Sequence, residues 1–258
     1  MGREKSMTDN YAALSAVYDQ LNGEIDYGAW ADYIDRQIKA HAKIAVTLVL
    51  DLCCGTGNMT LALDRRGYDM TGVDLSPDML RIALEKARDA GRDDRILFLC
   101  QDMLDFELYG TVQAVVSCLD SVNHIDGAAD FKKLLALVHN YLEPGGLFIF
   151  DVNSPYKFKK IYGDNAYILE ADGVFCGWQN LYDEKTRICE FYTTVFTENK
   201  DGGYTRRDDY EREYCLTQKQ IERMLRAGGF ELVALHGGVD GGAPNAKSER
   251  LYFTARRI

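Results

Sequence analysis

No apolar run in this sequence approaches the roughly 20 residues that span a bilayer,. The opening residues, MGREKSMTDN, also lack the apolar stretch of a secretion signal, so export is not expected,. Paired thiols are missing too. The seven cysteines, at 53, 54, 100, 118, 176, 189 and 215, are odd in number and contain no Cys-x-x-Cys. That argues against a disulfide framework and against a zinc ribbon, and no metal site is expected. Most of them lie in apolar stretches such as ILFLC and AVVSC, where a free thiol behaves as a small hydrophobe,. A reducing, cytoplasmic setting follows. Positive charge is scarce: 30 Lys and Arg against 40 Asp and Glu leave a formal charge of −10. Such a chain is a poor partner for nucleic acid or an anionic membrane surface, and neither is expected. No Gly-Lys-Ser/Thr occurs, which rules out a P-loop,.

What is present is a core. Of 258 residues, 47% are hydrophobic, enough for one large α/β domain or one domain with an insertion,. Continuous apolar runs at 46–52, 70–74, 96–100, 112–119 and 147–152 read as strands covered on both faces. Helical spacing lies between them, at 27–43, 58–66, 77–87 and 128–142. Ser76-Pro77 opens one of these helices, as a cap followed by proline should. The alternation predicts a parallel sheet with helices on both faces.

The pattern changes after Asn153. A short helix is expected near 156–162. CEFYTTVFTE, NKDGG and YTRRDDYEREY (189–214) then read as strand, turn and strand, extended by 173–183 into an inserted antiparallel sheet,. RRDDYERE (206–213) reads as a solvated face, with recognition of a charged substrate as the alternative. Thr217 and Gln220 form a capping-box pattern. Strands at 230–236 and 249–257 finish the chain.

LVLDLCCGTGNMT (48–60) carries the functional signal: strand, glycine turn, helix start. Glycines let backbone approach a ligand, and a helix start directs free N–H groups toward it. Asp74 ends the next strand, where a carboxylate in a doubly wound sheet meets ribose hydroxyls. Together they point to an adenosine-type cofactor. Thr60 stands where a dinucleotide loop places its last glycine, which counts against a nicotinamide cofactor. Cys53 and Cys54 lack short-spaced partner ligands and read as small fillers of the loop.

LDLCCGTGN, GVDLSPDML, LCQDM and PGGLFIFDVN resemble, in order and spacing, the motifs of class I S-adenosylmethionine (SAM)-dependent methyltransferases. The N-terminal YAALSAVYDQL…DYGAW and the β insert are similar to a small bacterial subgroup related to glycine N-methyltransferase and nucleotide-linked aminosugar N-methyltransferases. The resemblance implies a Rossmann-like, seven-stranded, mostly parallel sheet with an inserted antiparallel β subdomain. Residues 1–153 and 216–258 would form the SAM-binding domain, with 1–45 a helical cap and 154–215 the insert. It implies that Asp51 and the Gly55–Gly57 backbone, with Cys53 at a family glycine position and Asn58 beside it, hold the methionine portion. Asp74 would take the ribose diol. Leu75 and Met79 would flank the adenine. Of Gln101, Asp102 and Met103, which follow the third strand at the cofactor, Asp102 would meet the adenine amino group and Met103 the ring, and Leu119 would lie under the cofactor. Tyr11, Tyr18 and Trp30 of the cap would face the sulfonium, a contact aromatic rings favour.

Methyl transfer needs alignment and exclusion of water, and a base only if the nucleophile arrives protonated. Asp120, Asn123 and His124, just past the fourth strand, are the candidates for that work. The expected acceptor is a small molecule with an N or O nucleophile, and the expected assembly a monomer or homodimer. A nicotinamide-dependent dehydrogenase and a non-catalytic SAM-binding module stand as alternatives.

Overall fold

In the computed structural model, Ser15 and residues 17–258 are described; Tyr11 lies outside them. The chain begins with α1 (Tyr18–Leu21) and α2 (Tyr27–His41). It alternates through β1 (Leu48–Leu52), α3 (Asn58–Asp64), β2 (Asp69–Asp74), α4 (Pro77–Asp89), β3 (Leu97–Cys100) and β4 (Val112–Ser117). A 3-10 turn (Ser121–Asn123), α5 (Ala128–Tyr141) and β5 (Leu142–Asn153) follow. A π-helical turn (Lys157–Tyr162) leads into β6 (Ala166–Ala171), β7 (Val174–Asp183), β8 (Ile188–Glu198) and β9 (Tyr204–Tyr214). The chain closes with α6 (Gln218–Ala227), β10 (Phe230–His236) and β11 (Arg250–Arg257).

Seven strands form one sheet in the order β10-β11-β5-β4-β1-β2-β3. Only β11 runs against its neighbours. Alternate residues of each strand feed two cores. Leu50, Val115, Phe148 and Phe150 pack with α5 and α6. Val49, Ala114, Val116 and Ile149 pack with α2, α3 and α4. That double covering is why these strands are apolar throughout. Local signals hold as well: Ser76 accepts from the Met79 N–H at the start of α4, and the Thr217–Gln220 capping box is complete.

A second, separate sheet has the order β6-β7-β8-β9, antiparallel throughout. The sequence reading found three of these strands and missed β6, whose AYILEA lies at the edge and is half-exposed. Two other details differ. β5 starts at Leu142 rather than at the expected 147, and Glu143–Gly146 is its irregular first part, with the Gly145 carbonyl accepting from the Lys43 N–H at 3.0 Å. Residues 206–213 are a solvated face only in part. Arg206, Asp208 and Arg212 are exposed, whereas Asp209 and Glu213 point into the sheet's packed side at 7% and 6% exposure. Period two in a strand sends neighbours to opposite faces, so one charge run serves both.

Phe150 anchors the larger core. Its ring stacks 5.1 Å from Phe253 and 4.5 Å from Phe148, with Phe131 at 5.8 Å. Phe150→Ala should lower unfolding free energy by about 3–5 kcal/mol, read from urea denaturation; a loss below about 1 kcal/mol would show that the site collapses around the void.

Candidate functional site

The chain runs from β1 outward to β3, then returns to β4 on the other side of β1. Doubly wound sheets open a crevice at the carboxyl ends of strands where the order reverses. Two adjoining cavities lie here, of about 280 and 350 Å³. They share Tyr18, Leu119, Asp120 and His124.

The first cavity is built on the loop after β1. Cys53 (φ 63°), Gly55 (φ 54°) and Gly57 (φ 77°) are all left-handed. A Cβ at Gly55 would meet nothing within 4 Å, so the space there belongs to the cavity. The loop is pinned from β2: the Asp74 carboxylate accepts from Gly55 N–H at 2.8 Å and Ser76 N–H at 2.9 Å. Thr60 is fully buried, and its hydroxyl donates to Asp51 at 2.6 Å. This gives a purpose to the residue that departs from the dinucleotide pattern.

Of the residues expected at the cofactor, this cavity gathers Tyr18, Asp51, Cys53, Gly55, Asn58 and Asp74, and likewise Leu75, Met79, Asp102, Met103 and Leu119. Three are placed elsewhere. Trp30 packs on Tyr252 at 5.0 Å with the Arg250 guanidinium 5.9 Å from its ring, outside both cavities. The Gln101 side chain closes its own loop, accepting from the Glu107 N–H at 2.7 Å. Gly57 serves packing: a Cβ there would come within 2.9 Å of the Ala83 Cβ. Tyr27, unforeseen from the sequence, and Thr56, between the two expected glycines, add to the wall. Asp19 clasps α1 to the loop, accepting from Thr56 and Asn58 at 2.8 Å each and pairing with Lys86 at 2.5 Å. That clasp holds Tyr18 at the junction of the two cavities.

Past β4, Leu119 (φ 60°) and Asp120 (φ 57°) form a consecutive left-handed pair, a strained arrangement for residues with side chains,. Asp151 at the end of β5 holds it, accepting from the Leu119 N–H at 2.7 Å and the Asp120 N–H at 2.9 Å. Arg250 of β11 bridges the two carboxylates, Asp151 and Asp120. Asn153 donates to Asp120 at 2.7 Å and to Glu213 at 2.8 Å, while its carbonyl accepts from Lys157 at 3.0 Å. Asn123, expected to face the acceptor, is fully buried instead: it donates to the Tyr214 carbonyl and accepts from the Asn153 N–H, tying β5 to β9. The second cavity is walled by Lys157, Tyr162, Trp178, Phe191, Glu211, Glu213 and Arg250. Polar residues at the carboxyl end of an apolar strand, as in FDVN, were the available signal for Asp151 and Asn153.

The electrostatics follow burial. Asp51 is pushed up to about 7, by desolvation first, with the Asp74 charge adding and the Thr60 hydrogen bond opposing,. Burial also raises Asp74. His124 is lowered by burial, against the pull of Asp120, so its imidazole is neutral at pH 7. Burial works to raise Asp120, but the Arg250 guanidinium, with Lys157 behind it, holds it below the usual carboxylate range. Cys53 and Cys54 are both raised, by desolvation and then by the Asp51 and Asp74 carboxylates. They are thiols rather than thiolates, and so poor nucleophiles. Among the described residues, no three His, Cys, Asp or Glu side chains are grouped to hold a metal ion.

A methyltransferase-domain family matches residues 49–146. YqeM of Bacillus subtilis (strain 168), named as a methyltransferase, is 31% identical over 250 residues, covering 96% of this chain and 97% of that one. A SAM-dependent methyltransferase of Clostridium acetobutylicum has a crystal structure that superimposes with a TM-score of 0.86 at 29% identity, covering 96% and 98% of the two chains. An aminosugar N,N-dimethyltransferase of Streptomyces fradiae, acting on a dTDP-linked 3-amino-3,6-dideoxyglucose, is 27% identical over 96% of each chain. The chain belongs to the SAM-dependent methyltransferases. The dehydrogenase and non-catalytic readings find no support. The residues present fit SAM: an open glycine cradle at Gly55, and two carboxylates, the buried Asp51 and the half-buried Asp74, lining one cavity.

Left-handed geometry costs a non-glycine residue about 1–2 kcal/mol, which Cys53→Gly removes; freer backbone in the unfolded chain returns about 0.5–1 kcal/mol of that. Cys53→Gly should therefore change unfolding free energy by no more than about 1 kcal/mol and leave SAM affinity within a few-fold, as should Cys54→Ala. Thermal denaturation and calorimetry check both; a tenfold loss of SAM affinity in either variant would show that the thiols act at the site.

Proposed function

We propose that this enzyme methylates an amine on a small polar molecule, with SAM in the first cavity and the acceptor in the second. The observation that carries this is the second cavity's composition. Among the described residues, its walls and the groups bonded directly behind them hold four carboxylates, Asp120, Asp151, Glu211 and Glu213, against two cations, Lys157 and Arg250. Arg250 is already matched by Asp120 and Asp151. Buried carboxyl groups in excess of cations favour a cationic guest, because a positive group beside them restores their charged form. The remaining walls, Tyr18, Tyr162, Trp178 and Phe191, present aromatic faces of the kind that stabilise a substituted ammonium,. The relatives named for aminosugar and glycine/sarcosine N-methylation are consistent with the same reading.

SAM supplies the activated methyl group. This chain's residues hold the partners in line and keep water out. Asp74 takes the ribose hydroxyls while its backbone bonds keep the loop in place. Asp51 and the Gly55 backbone hold the amino-acid end. Leu75, Met79, Asp102 and Met103 enclose the adenine, and Leu119 supports the reacting end. Tyr18, clasped through Asp19, stands at the junction of the two cavities. Residues 154–215 act as the acceptor-selecting subdomain of a SAM-binding domain formed by 1–153 and 216–258. The unpaired thiols support a cytoplasmic setting, and the chain works as a monomer or homodimer on a soluble acceptor.

Asp74→Ala should weaken SAM binding by about 2–3 kcal/mol, roughly 30- to 150-fold, measured by calorimetry; unchanged affinity would remove Asp74 from the cofactor site. In a panel of small amines and matched alcohols, including amino sugars and amino acids, S-adenosylhomocysteine release should occur with amines. Turnover confined to alcohols would overturn the amine assignment.

A further inference from the structure

We propose that Glu213 is the catalytic base of this methyl transfer: it takes the proton from the acceptor's ammonium group while Asp120, its neighbour in the cavity, stays charged and anchors that group. The proposal rests on the amine reading and adds a division of labour between two carboxylates.

The geometry that supports it centres on Asn153. Its single amide nitrogen donates to Asp120 at 2.7 Å and to Glu213 at 2.8 Å, so the two carboxyl groups face one another across one bond donor in the same cavity. Their other partners differ. Asp120 pairs with Arg250 at 3.0 Å. Glu213 has no ion pair within 4.0 Å among the described residues, and it is 6% exposed. Its strand positions it: the period-two pleat of β9 directs Glu213 inward while Arg212 points out to pair with Asp126,. Two like groups whose surroundings diverge are the usual signature of an acid–base pair.

The groups facing Glu213 come from every side. Asp120, with His124 beside it, comes from the turn after β4, and Lys157 and Tyr162 from the π-helical turn. Cys189 lies opposite on β8, Arg250 comes from β11, and Glu211 shares β9 and the cavity wall. Burial raises the Glu213 carboxyl well above its usual range, with the Asp120 charge adding; the Asn153 bond, Lys157 and Arg250 oppose without reversing this. Lys157 is itself lowered by burial and sits 4.9 Å from the centre of the Tyr162 ring.

The step balances simply. An ammonium nitrogen has no lone pair for attack. One N–H bond breaks, its electron pair stays on nitrogen, and the proton binds a Glu213 carboxylate oxygen. The nitrogen pair then forms a bond to the methyl carbon as the carbon–sulfur bond breaks, its electrons remaining on sulfur. Positive charge passes from sulfur to nitrogen, and the proton leaves Glu213 to water when product departs. Because Glu213 must be ionised to begin, kcat/KM should rise with pH through its raised titration.

Two measurements test this. In S-adenosylhomocysteine-loaded protein without acceptor, infrared difference spectra of wild type minus Glu213→Gln across pH should isolate one protonated-carboxyl stretch that titrates above the ordinary carboxylate range, the raised Asp51, Asp74 and Asp151 carboxyls contributing alike to both proteins. A difference spectrum without that band overturns the proposal whatever the acceptor is. With the best amine of the panel, Glu213→Gln should lower kcat on the order of 100-fold and flatten the rising limb of the pH profile, with SAM affinity within twofold of wild type. His124→Gln should keep that limb. A retained limb in Glu213→Gln, or its loss in His124→Gln instead, overturns the assignment of the base while leaving the amine reading standing. Turnover of alcohols alone overturns both.

Discussion

A single buried carboxylate, Asp151, carries the organisation of this site. It lies at the carboxyl end of β5 with no exposure and accepts from two consecutive backbone N–H groups, Leu119 and Asp120. Those two residues are left-handed, and strained backbone persists only where its surroundings over-determine it,. Arg250 completes the arrangement by pairing with Asp151 and Asp120 together. A charge this deeply buried is tolerated because it is paired and fully bonded; removing one partner would leave the rest uncompensated. The same cluster thus joins β4, β5 and β11 and sets the wall common to both cavities.

The architecture explains why two cavities meet here. Reversal of strand order between β1 and β4 opens the crevice, and the first cavity fills it with the loop after β1 and the end of β2,. The second sheet then covers the neighbouring opening with the inward side chains of β7, β8 and β9, Trp178, Phe191 and Glu213 among them. Tyr18, Leu119, Asp120 and His124 belong to both spaces. Methyl transfer requires such a boundary, since the reacting atoms must face each other across one short gap with water absent.

Burial also sorts the titratable groups. Asp51 and Asp74 rise because they are enclosed, Cys53 and Cys54 rise with them, and His124 falls to a neutral imidazole. Asp120 alone among these carboxylates is held low, because Arg250 reaches it. A chain so acidic overall, at −10, can therefore keep a fine distinction between adjacent carboxylates, set by which one a guanidinium touches,.

By itself the sequence determined most of what depends on local pattern. Apolar runs fixed the central strands of the large sheet because both faces of these are covered. Ser76-Pro77 and Thr217–Gln220 marked helix starts because their caps are made within four residues. LDLCCGTGN and Asp74 marked one wall of the first cavity because its groups come from one turn and the next strand end. Tertiary structure alone decided what rests on distant contacts. Trp30 reads as a cofactor aromatic, yet it lies against Tyr252 and beneath Arg250, more than 200 positions away. Asn123 reads as an active-site amide, yet its bonds to Tyr214 and Asn153 make it a tie between sheets. Glu213 reads as one charge in a solvated run; only the pleat of β9, and the packing of the second sheet against Asn153 and Lys157, turn it inward. Period and capping are encoded within a few residues of sequence, whereas the partner of a buried charge is chosen by the fold.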